Sequence, residues 1–396
     1  MYHKPLKIVH IVEAFSGGVN TYLRMVLPRL AAEGFNITLI CSFNRSCPHR
    51  RQTISELKKS GVKIYVVPMT REINLVKDIR SLVMLYKLLS QRKYDIIHTH
   101  CSKAGALGRI AACLTGIKFV CHTPHCFAYI RCDDKLRRLL YLYLERLLGL
   151  ITTRLIAVSK SEFTAAVNSY VIAPSKCMVV HNALEVKPKL KKNRDVVNNL
   201  LKENPHEIID NKLIIVTVCS LVNYKGIFQF LQAARLSSHP HALFLIAGDG
   251  EQKNSVNDFI VQCNLQHKVK LLGHVKNIES VYAVADVVVL CSKGEGQPYS
   301  LLEAMRAQKP IVATRVPGNC DLVIPHQTGC LVELKPENIA RAIDSLLKNP
   351  SRRRRFGENA YKYFRKYHVL KTQIRKLSKI YRACMSDYQN ECYAKV

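Results

Sequence analysis

Short apolar runs of strand length alternate with amphipathic stretches of helical length along nearly the whole chain, and this alternation limits the fold more than any other feature. It is the pattern of a parallel sheet with crossover helices. A first series reads "LKIVHIV", "ITLICS", "VKIYVVP", "DIIHTH", "KFVCHT" and "LIAVS"; a second begins at "KLIIVTVCS" and runs through "ALFLIAGDG", "KVKLLGHV", "ADVVVLCS", "KPIVATRV" and "GCLVEL". Because the pattern restarts, the expected fold class is α/β with two doubly wound, Rossmann-like domains facing across a cleft. The length of 396 residues also exceeds what one core usually supports. The expected bounds are an N-terminal domain over residues 1–184, a polar linker over 185–212, a C-terminal domain over 213–366, and a terminal helix over 367–396. That helix either packs on its own domain or returns to brace the first.

No apolar run reaches the roughly 18 residues of a spanning helix, and the opening goes straight into a strand, so a cytoplasmic protein is expected. The 15 cysteines are odd in number and scattered, which reads as reduced thiols. In "CHTPHC", Cys121, His122, His125 and Cys126 carry atoms that suit zinc, but they lie too close together for a paired-knuckle site, so no metal is expected. The 60 lysines and arginines exceed the acids by 31, which favours an anionic partner: nucleic acid, phospholipid or a phosphorylated small molecule. Between Arg352 and Lys379 the only acid is Glu358, inside helical periodicity. The stretch "KLRRLLYLYLERLLGLI", residues 135–151, carries leucines almost all round. That favours a helix buried between sheet and neighbours, with an interfacial helix on an anionic membrane as the alternative.

Three glycine turns follow strands: Gly17 and Gly18, Gly248 and Gly250, Gly294 and Gly296. Each precedes a helix whose free amides suit an anion. Lys253 and Tyr299 stand where a dinucleotide fingerprint needs its third glycine, and there is no P-loop. In "KGEGQPYSLLEAM", Pro298 suits a first helical turn, the amides of Tyr299 and Ser300 open the helix to a phosphate, and Glu295 and Glu303 flank that turn. Carboxylates accept hydrogen bonds from hydroxyls, which sugars present in rows. Either acid alone has a bland reading, as solvated group or dipole complement. The same two acids could flank a glycosidic bond as a hydrolase pair, but a phosphate-ready helix between them argues against that.

These segments resemble the retaining nucleotide-sugar glycosyltransferases of family 4, of GT-B fold, most closely from Leu271 to Glu333. "EGQPYSLLE" is similar to that family's E-x7-E motif. The resemblance implies that Glu295 touches the transferred sugar, Glu303 holds the ribose hydroxyls, and the amides of Gln297, Tyr299 and Ser300 meet sugar and phosphate. It places Gly17 and Gly18 of "FSGGVN" near the diphosphate, His125 of "HTPH" beside the donor sugar, and Lys225 of "VNYKG" on the diphosphate. The groups around His274 and Val275 of "LLGHV" would read the base. Cys219 and Ser220 stand where the family carries an arginine, so another cation or a hydroxyl contact such as that of Ser220 must replace it.

The implied activity is transfer of a sugar, with retention and without a metal or other cofactor, from a nucleoside diphosphate sugar, UDP-linked in the expectation, to a lipid-linked or saccharide acceptor. The implied setting is capsule or O-antigen synthesis, at the inner face of the plasma membrane where the excess charge would assist, and no specific nucleic acid is expected. An epimerase of the same fold and a basic nucleic-acid-binding or scaffold protein are the alternatives. His98 and His100 end a strand either on the acceptor side or as a hydrogen-bonded pair closing the sheet.

Overall fold

The computed structural model describes residues 5–45, 50–188 and 212–393, with side chains described through Cys384. Two compact units result: residues 1–182 with 370–396, and residues 183–369. Most of the expected linker, residues 189–211, lies outside the described residues.

The first unit runs β1 (Lys7–Val12), α1 (Gly17–Ala32), β2 (Asn36–Cys41), α2 (Arg50–Lys59), β3 (Lys63–Val66), α3 (Leu75–Ser90), β4 (Ile96–His100) and α4 (Ser102–Leu114). It continues with β5 (Phe119–Thr123), α5 (Ala128–Arg131), α6 (Lys135–Leu150), β6 (Arg154–Ala157), α7 (Lys160–Asn168) and β7 (Cys177–Val179). The seven strands are all parallel in the order β3-β2-β1-β4-β5-β6-β7. Strand order reverses between β1 and β4, the switch point outside whose carboxyl ends ligands bind in such sheets.

The second unit follows the same scheme with β8 (Leu213–Val218), α8 (Ile227–Leu236), β9 (Ala242–Ala247), α9 (Lys253–Gln262), β10 (Val269–Gly273), α10 (Ile278–Val284) and β11 (Val287–Leu290). Then come α11 (Tyr299–Arg306), β12 (Ile311–Thr314), β13 (Gly329–Val332), α12 (Pro336–Leu347) and α13 (Pro350–Tyr367). Six parallel strands are ordered β10-β9-β8-β11-β12-β13, with the switch between β8 and β11. Both sheets set this junction by one device: an aspartate just before the strand accepts a backbone amide of its neighbour, Asp95 from Lys7 at 2.7 Å and Asp286 from Ile214 at 2.9 Å. All twelve strands read from the sequence are present. The added one is β7, whose three residues are too short for a period-2 signal.

The terminal helix α14 (Leu370–Tyr393) packs on α1 in the first unit, burying Ile374, Leu377, Ile380 and Tyr381. Val369, Leu184 and Glu185 stay with the second unit: Leu184 donates its amide to His368 O at 3.0 Å, and Arg306 reaches Glu185 O at 3.4 Å. In the basic run, Arg353 has a structural task, closing the end of α12 by donating to the carbonyls of Leu346 and Leu347 at 2.7 and 2.6 Å. Phe356 and Phe364 of α13 are core residues.

Residues 135–151 depart from the favoured expectation of burial. On α6 the inward residues are Glu145, Leu148 and Gly149, while the leucine stripe faces outward. Glu145 is inside because the fully buried Arg109 of α4 pairs with it at 2.8 Å, and that pair sits where a leucine would otherwise pack.

Candidate active site

In the second unit, the loop after β11 brings Glu295 back over the strand end, and the turn between β8 and α8 brings Lys225 to it. Lys225 Nζ lies 2.5 Å from Glu295 Oε1, with the two side chains 14% and 10% exposed. The buried Ser292 donates to the same oxygen at 2.6 Å. Two glycines make this approach possible. Gly226, at φ +64°, passes so close to Cys291 that an added Cβ would sit 2.0 Å from its carbonyl oxygen. Gly318, at φ +82°, would put a Cβ 2.5 Å from Glu295 O. Burial works against the charge of Lys225, but Glu295 and Tyr224 beside it hold its pKa above the ordinary lysine value. Lys225 therefore remains an ammonium at neutral pH.

Pro298 is the N-cap residue of α11, so the helix opens at Tyr299. Gln297 and Tyr299 are buried and Ser300 half-buried. Glu303, one turn into the helix, lines a pocket with Tyr282, Glu279, Arg306 and Lys187. Tyr282 OH donates to Glu303 Oε2 at 2.9 Å and lies 3.0 Å from Ser300 O. Burial raises the Glu303 carboxyl to about 7, a rise that the Tyr282 hydroxyl and Arg306 oppose. Arg306 is itself held by Glu279 at 3.0 Å, and Lys187 reaches the same Glu279 oxygen at 2.6 Å.

Other expected residues of this unit surround the same strand ends. Ser220 is exposed just past β8, and Gly248 follows β9, donating its amide to Gly273 O at 2.8 Å. Gly248 lies against the Cys219 carbonyl, where a Cβ would stand 1.8 Å from the oxygen, so backbone packing already requires glycine there. His274 is exposed and Val275 half-buried after β10.

In the first unit, strand register gathers the histidines. Residues two apart share a sheet face, and β1, β4 and β5 pair His10 with His98, His98 with Cys121, and His100 with Thr123. His10, His98 and His100 therefore share one face, which explains the next set of bonds. His98 is closed by Tyr381 OH at 2.6 Å and Thr123 Oγ1 at 2.9 Å, the structural of the two readings for that residue. His100 instead bridges His10 Nδ1 at 2.9 Å and His125 Nε2 at 3.1 Å. Burial lowers the pKa of His10, His98, His100 and His125, so the rings are neutral at pH 7.

A neutral imidazole has one N–H, so His100 donates to one neighbour and accepts from the other. His10 Nε2 is buried with no partner. A bare nitrogen there costs less than an orphaned N–H, which directs the chain from His10 toward His125 and leaves His125 with its Nδ1–H as a donor. Tyr22 meets the His125 ring edge-on at 5.0 Å. His125 and Cys126 adopt positive φ, +52° and +83°. The turn is held by the buried Glu162, which accepts from Cys126 N at 2.5 Å and from Val158 N at 2.8 Å. Gly17, also at positive φ, and Gly18 open α1 beyond β1.

The ring nitrogens of His10, His98 and His100 lie within 4.8 Å of one another, the one such grouping among the described residues. His98 bonds Tyr381 and Thr123 and His100 bonds His10 and His125, while His10 Nε2 keeps no partner. The "CHTPHC" residues diverge: His122 turns to the opposite face and meets Thr99 at 2.9 Å, while Cys121 contacts Cys384. The thirteen described cysteines are free thiols, as expected.

Sequence reasoning missed Ser292, Tyr282, His10 and Glu162. Glu162 alone had a local signal, the S-x-x-E spacing from Ser159 that marks a helix start. Tyr282 and His10 reach their partners only through sheet order.

With this geometry established, comparison with known proteins gives a consistent result. The family described as "Glycosyl transferases group 1" matches residues 198–363, and "Glycosyltransferase Family 4" matches residues 16–187. An Escherichia coli protein named UDP-Gal:alpha-D-GlcNAc-diphosphoundecaprenol alpha-1,3-galactosyltransferase is 34% identical over 84% of this chain and 85% of its own length. The capsular polysaccharide biosynthesis glycosyltransferase CapM of Staphylococcus aureus is 28% identical over 78% of this chain and 82% of its own. A structure of Anabaena HepE in complex with UDP and glucose superposes with a TM-score of 0.77 at 17% identity, covering 96% of this chain and all of that one, 100%. That last likeness is one of fold, and the fold is GT-B.

Proposed function

The chain belongs to the family 4 glycosyltransferases, and from that premise we propose that it transfers a hexose, with retention, from a UDP-linked donor to a hydroxyl of a lipid-diphosphate-linked saccharide during assembly of a surface polysaccharide. The transferase reading replaces the epimerase and scaffold alternatives, because its named relatives are transferases. The donor, the lipid-linked acceptor and work at a membrane surface are supported by the name of the E. coli relative. No described helix is long and apolar enough to cross a membrane.

The observation that carries the reading is the Lys225–Glu295–Ser292 cluster at the end of β11, directly ahead of the start of α11. In this reading a diphosphate competes for Lys225, drawing the ammonium from Glu295 and freeing that carboxylate for sugar hydroxyls. Lys225 and the amides of Gln297, Tyr299 and Ser300 then stabilise negative charge as the bond from the anomeric carbon to the phosphate oxygen breaks. The cation is Lys225 rather than a metal ion. The acceptor oxygen bonds to the anomeric carbon on the face the phosphate leaves, and its proton passes to the departing phosphate. Glu303 holds the ribose hydroxyls, the backbone about His274 and Val275 receives the base, Ser220 offers a hydroxyl just past β8, and Gly248 lets the turn after β9 pack closely. We assign to His125 a hydroxyl of the donor sugar, which a neutral imidazole N–H suits.

The test is incubation of the purified protein with a panel of UDP-hexoses and a short-chain GlcNAc-diphosphate lipid. The anomeric coupling of the product is then read by NMR and UDP release is followed with and without EDTA. UDP-galactose giving an α-linked product, unaffected by EDTA, is the expected result. An inverted linkage, or no thermal shift with any UDP-sugar, sinks it.

A further inference from the structure

Helices α3, α4 and α6 lie side by side on one face of the first sheet, α4 packing against both others. Their outward surface is apolar. On α6 the residues Leu136, Tyr143, Leu147 and Leu150 are 80%, 58%, 63% and 79% exposed, part of a stripe that recurs every third or fourth residue. On α3, Leu75, Val76 and Ile79 are 75%, 79% and 61% exposed, and Leu114 at the end of α4 is 60% exposed. Well over half of the exposed large apolar side chains among the described residues lie on these three helices. An amphipathic helix on a soluble domain normally turns such a stripe inward. Here the one acid of α6, Glu145, is turned inward, because Arg109 holds it from below. Contiguous exposed apolar surface of this kind marks an interaction site.

Charge identifies the partner. Lys77, Arg80 and Lys87 on α3 and Lys135, Arg137 and Arg138 on α6 are exposed around the stripes. The acids of the three helices, Asp78 and Glu145, are already paired, with Lys103 at 2.5 Å and with Arg109. A second copy placed on this face by a two-fold axis would bring like charges together. An anionic bilayer meets both demands at once: apolar side chains enter the headgroup boundary and basic ones meet lipid phosphates.

We propose that the α3–α4–α6 face docks the protein on an anionic phospholipid leaflet. The proposal deepens the membrane-surface part of the function above and does not depend on which donor is used.

Flotation of the full-length protein with phosphatidylcholine vesicles containing about one-third phosphatidylglycerol tests it, pure phosphatidylcholine serving as comparison. Wild type floats with the anionic vesicles. Leu136→Glu/Leu147→Glu on α6 and Val76→Glu/Ile79→Glu on α3 each lower the partition coefficient by about tenfold or more. The control Leu236→Glu/Val261→Glu, also exposed but on the second unit, floats like wild type. Arg137→Ser/Arg138→Ser narrows the preference for anionic over neutral vesicles. Size-exclusion light scattering and UDP binding by thermal shift accompany each variant and stay unchanged. The proposal fails if both face variants float like wild type. It also fails if wild type ignores vesicles and instead forms a dimer that the glutamates dissociate. If wild type floats but binds no UDP or UDP-sugar, the donor assignment falls and the docking face stands.

Discussion

The two units share one topology yet use opposite electrostatics at their switch points. In the first, the strand ends hold a hydrogen-bonded chain of imidazoles kept neutral by burial, His10 to His100 to His125, with His98 locked beside them. In the second, the strand ends hold full charges: an ammonium against a carboxylate at Lys225–Glu295, and a second carboxyl, Glu303, near the point of ionising. Neutral donors that keep one tautomer suit orientation of hydroxyls, whereas charges suit stabilisation of a leaving diphosphate. The difference teaches that the parallel sheet is indifferent to which chemistry its rim carries. Each rim does, however, make its unit vulnerable at a different pH.

The sharpest way to break the comparison is acid. A histidine with an ordinary pKa of 6.5 that is lowered on folding binds its proton preferentially in the unfolded chain. Stability is therefore full above about pH 6.5 and falls as pH drops toward the folded value, by about 1.4 kcal/mol per pH unit for each group. His10, His98, His100, His122 and His125 act together. Each adds to the loss in the same direction, so acid weakens the first unit before the second. Among the described residues the second unit gathers no comparable group of histidines. Hydrogen exchange read by mass spectrometry between pH 7.5 and about 5, corrected for intrinsic rates, should show β1, β4, β5 and α14 losing protection while β8 to β13 keep theirs. Simultaneous loss in both units would mean that the histidines do not set the weak point.

The next largest effect is expected at the charged rim. Lys225→Ala should lower turnover by about 10² to 10³, the usual cost of removing a group that stabilises charge in the transition state. It should change donor affinity much less. A variant whose KM rises while kcat holds would assign Lys225 to ground-state binding and leave the two rims less different than their charges suggest.

How much of this contrast was legible in the sequence depends on distance along the chain. The strands, the three glycine turns that follow them, and the spacing of Glu295 and Glu303 are local patterns. The nearness of Lys225 to Glu295, seventy residues apart, is set by β8 lying beside β11 and by the close passage of Gly226 over Cys291. No periodicity encodes that. The histidine chain needs the β1–β4 register, and the exposure of α6 needs the Arg109–Glu145 pair beneath it. An all-round leucine count could not foresee that Glu145 would be turned inward.

Glu303 gives a smaller effect that sharpens the contrast by its sign. Its carboxyl, ordinarily near 4.5, is raised to about 7 by burial. The stability it lends the ligand-free protein is therefore complete below about pH 4.5 and is lost as pH rises through about 7, opposite in direction to the histidines. Ribose hydroxyls hydrogen-bond best to the ionised form, at roughly 1.5 to 3 kcal/mol. Donor affinity should then increase about tenfold from pH 6 to pH 8 while the melting temperature of the free protein declines. Glu303→Gln should flatten both curves and bind donor weakly throughout. Isothermal titration at three pH values, with melts at the same values, checks this, and an unchanged slope in the variant would place the titrating group elsewhere.

The smallest expected effect tests whether Glu295 needs more than its ammonium partner. Ser292 Oγ and Lys225 Nζ both meet Glu295 Oε1. In the proposed mechanism, where a diphosphate draws Lys225 away, Ser292 is the donor left to orient the carboxylate. Ser292→Ala removes one hydrogen bond worth about 1 kcal/mol, so kcat should fall about fivefold, with donor affinity and melting temperature close to wild type. A loss confined to stability would mean that the serine only closes the loop after β11. A fall in kcat that Ser292→Thr restores would show that the hydroxyl aims the carboxylate at the reacting sugar.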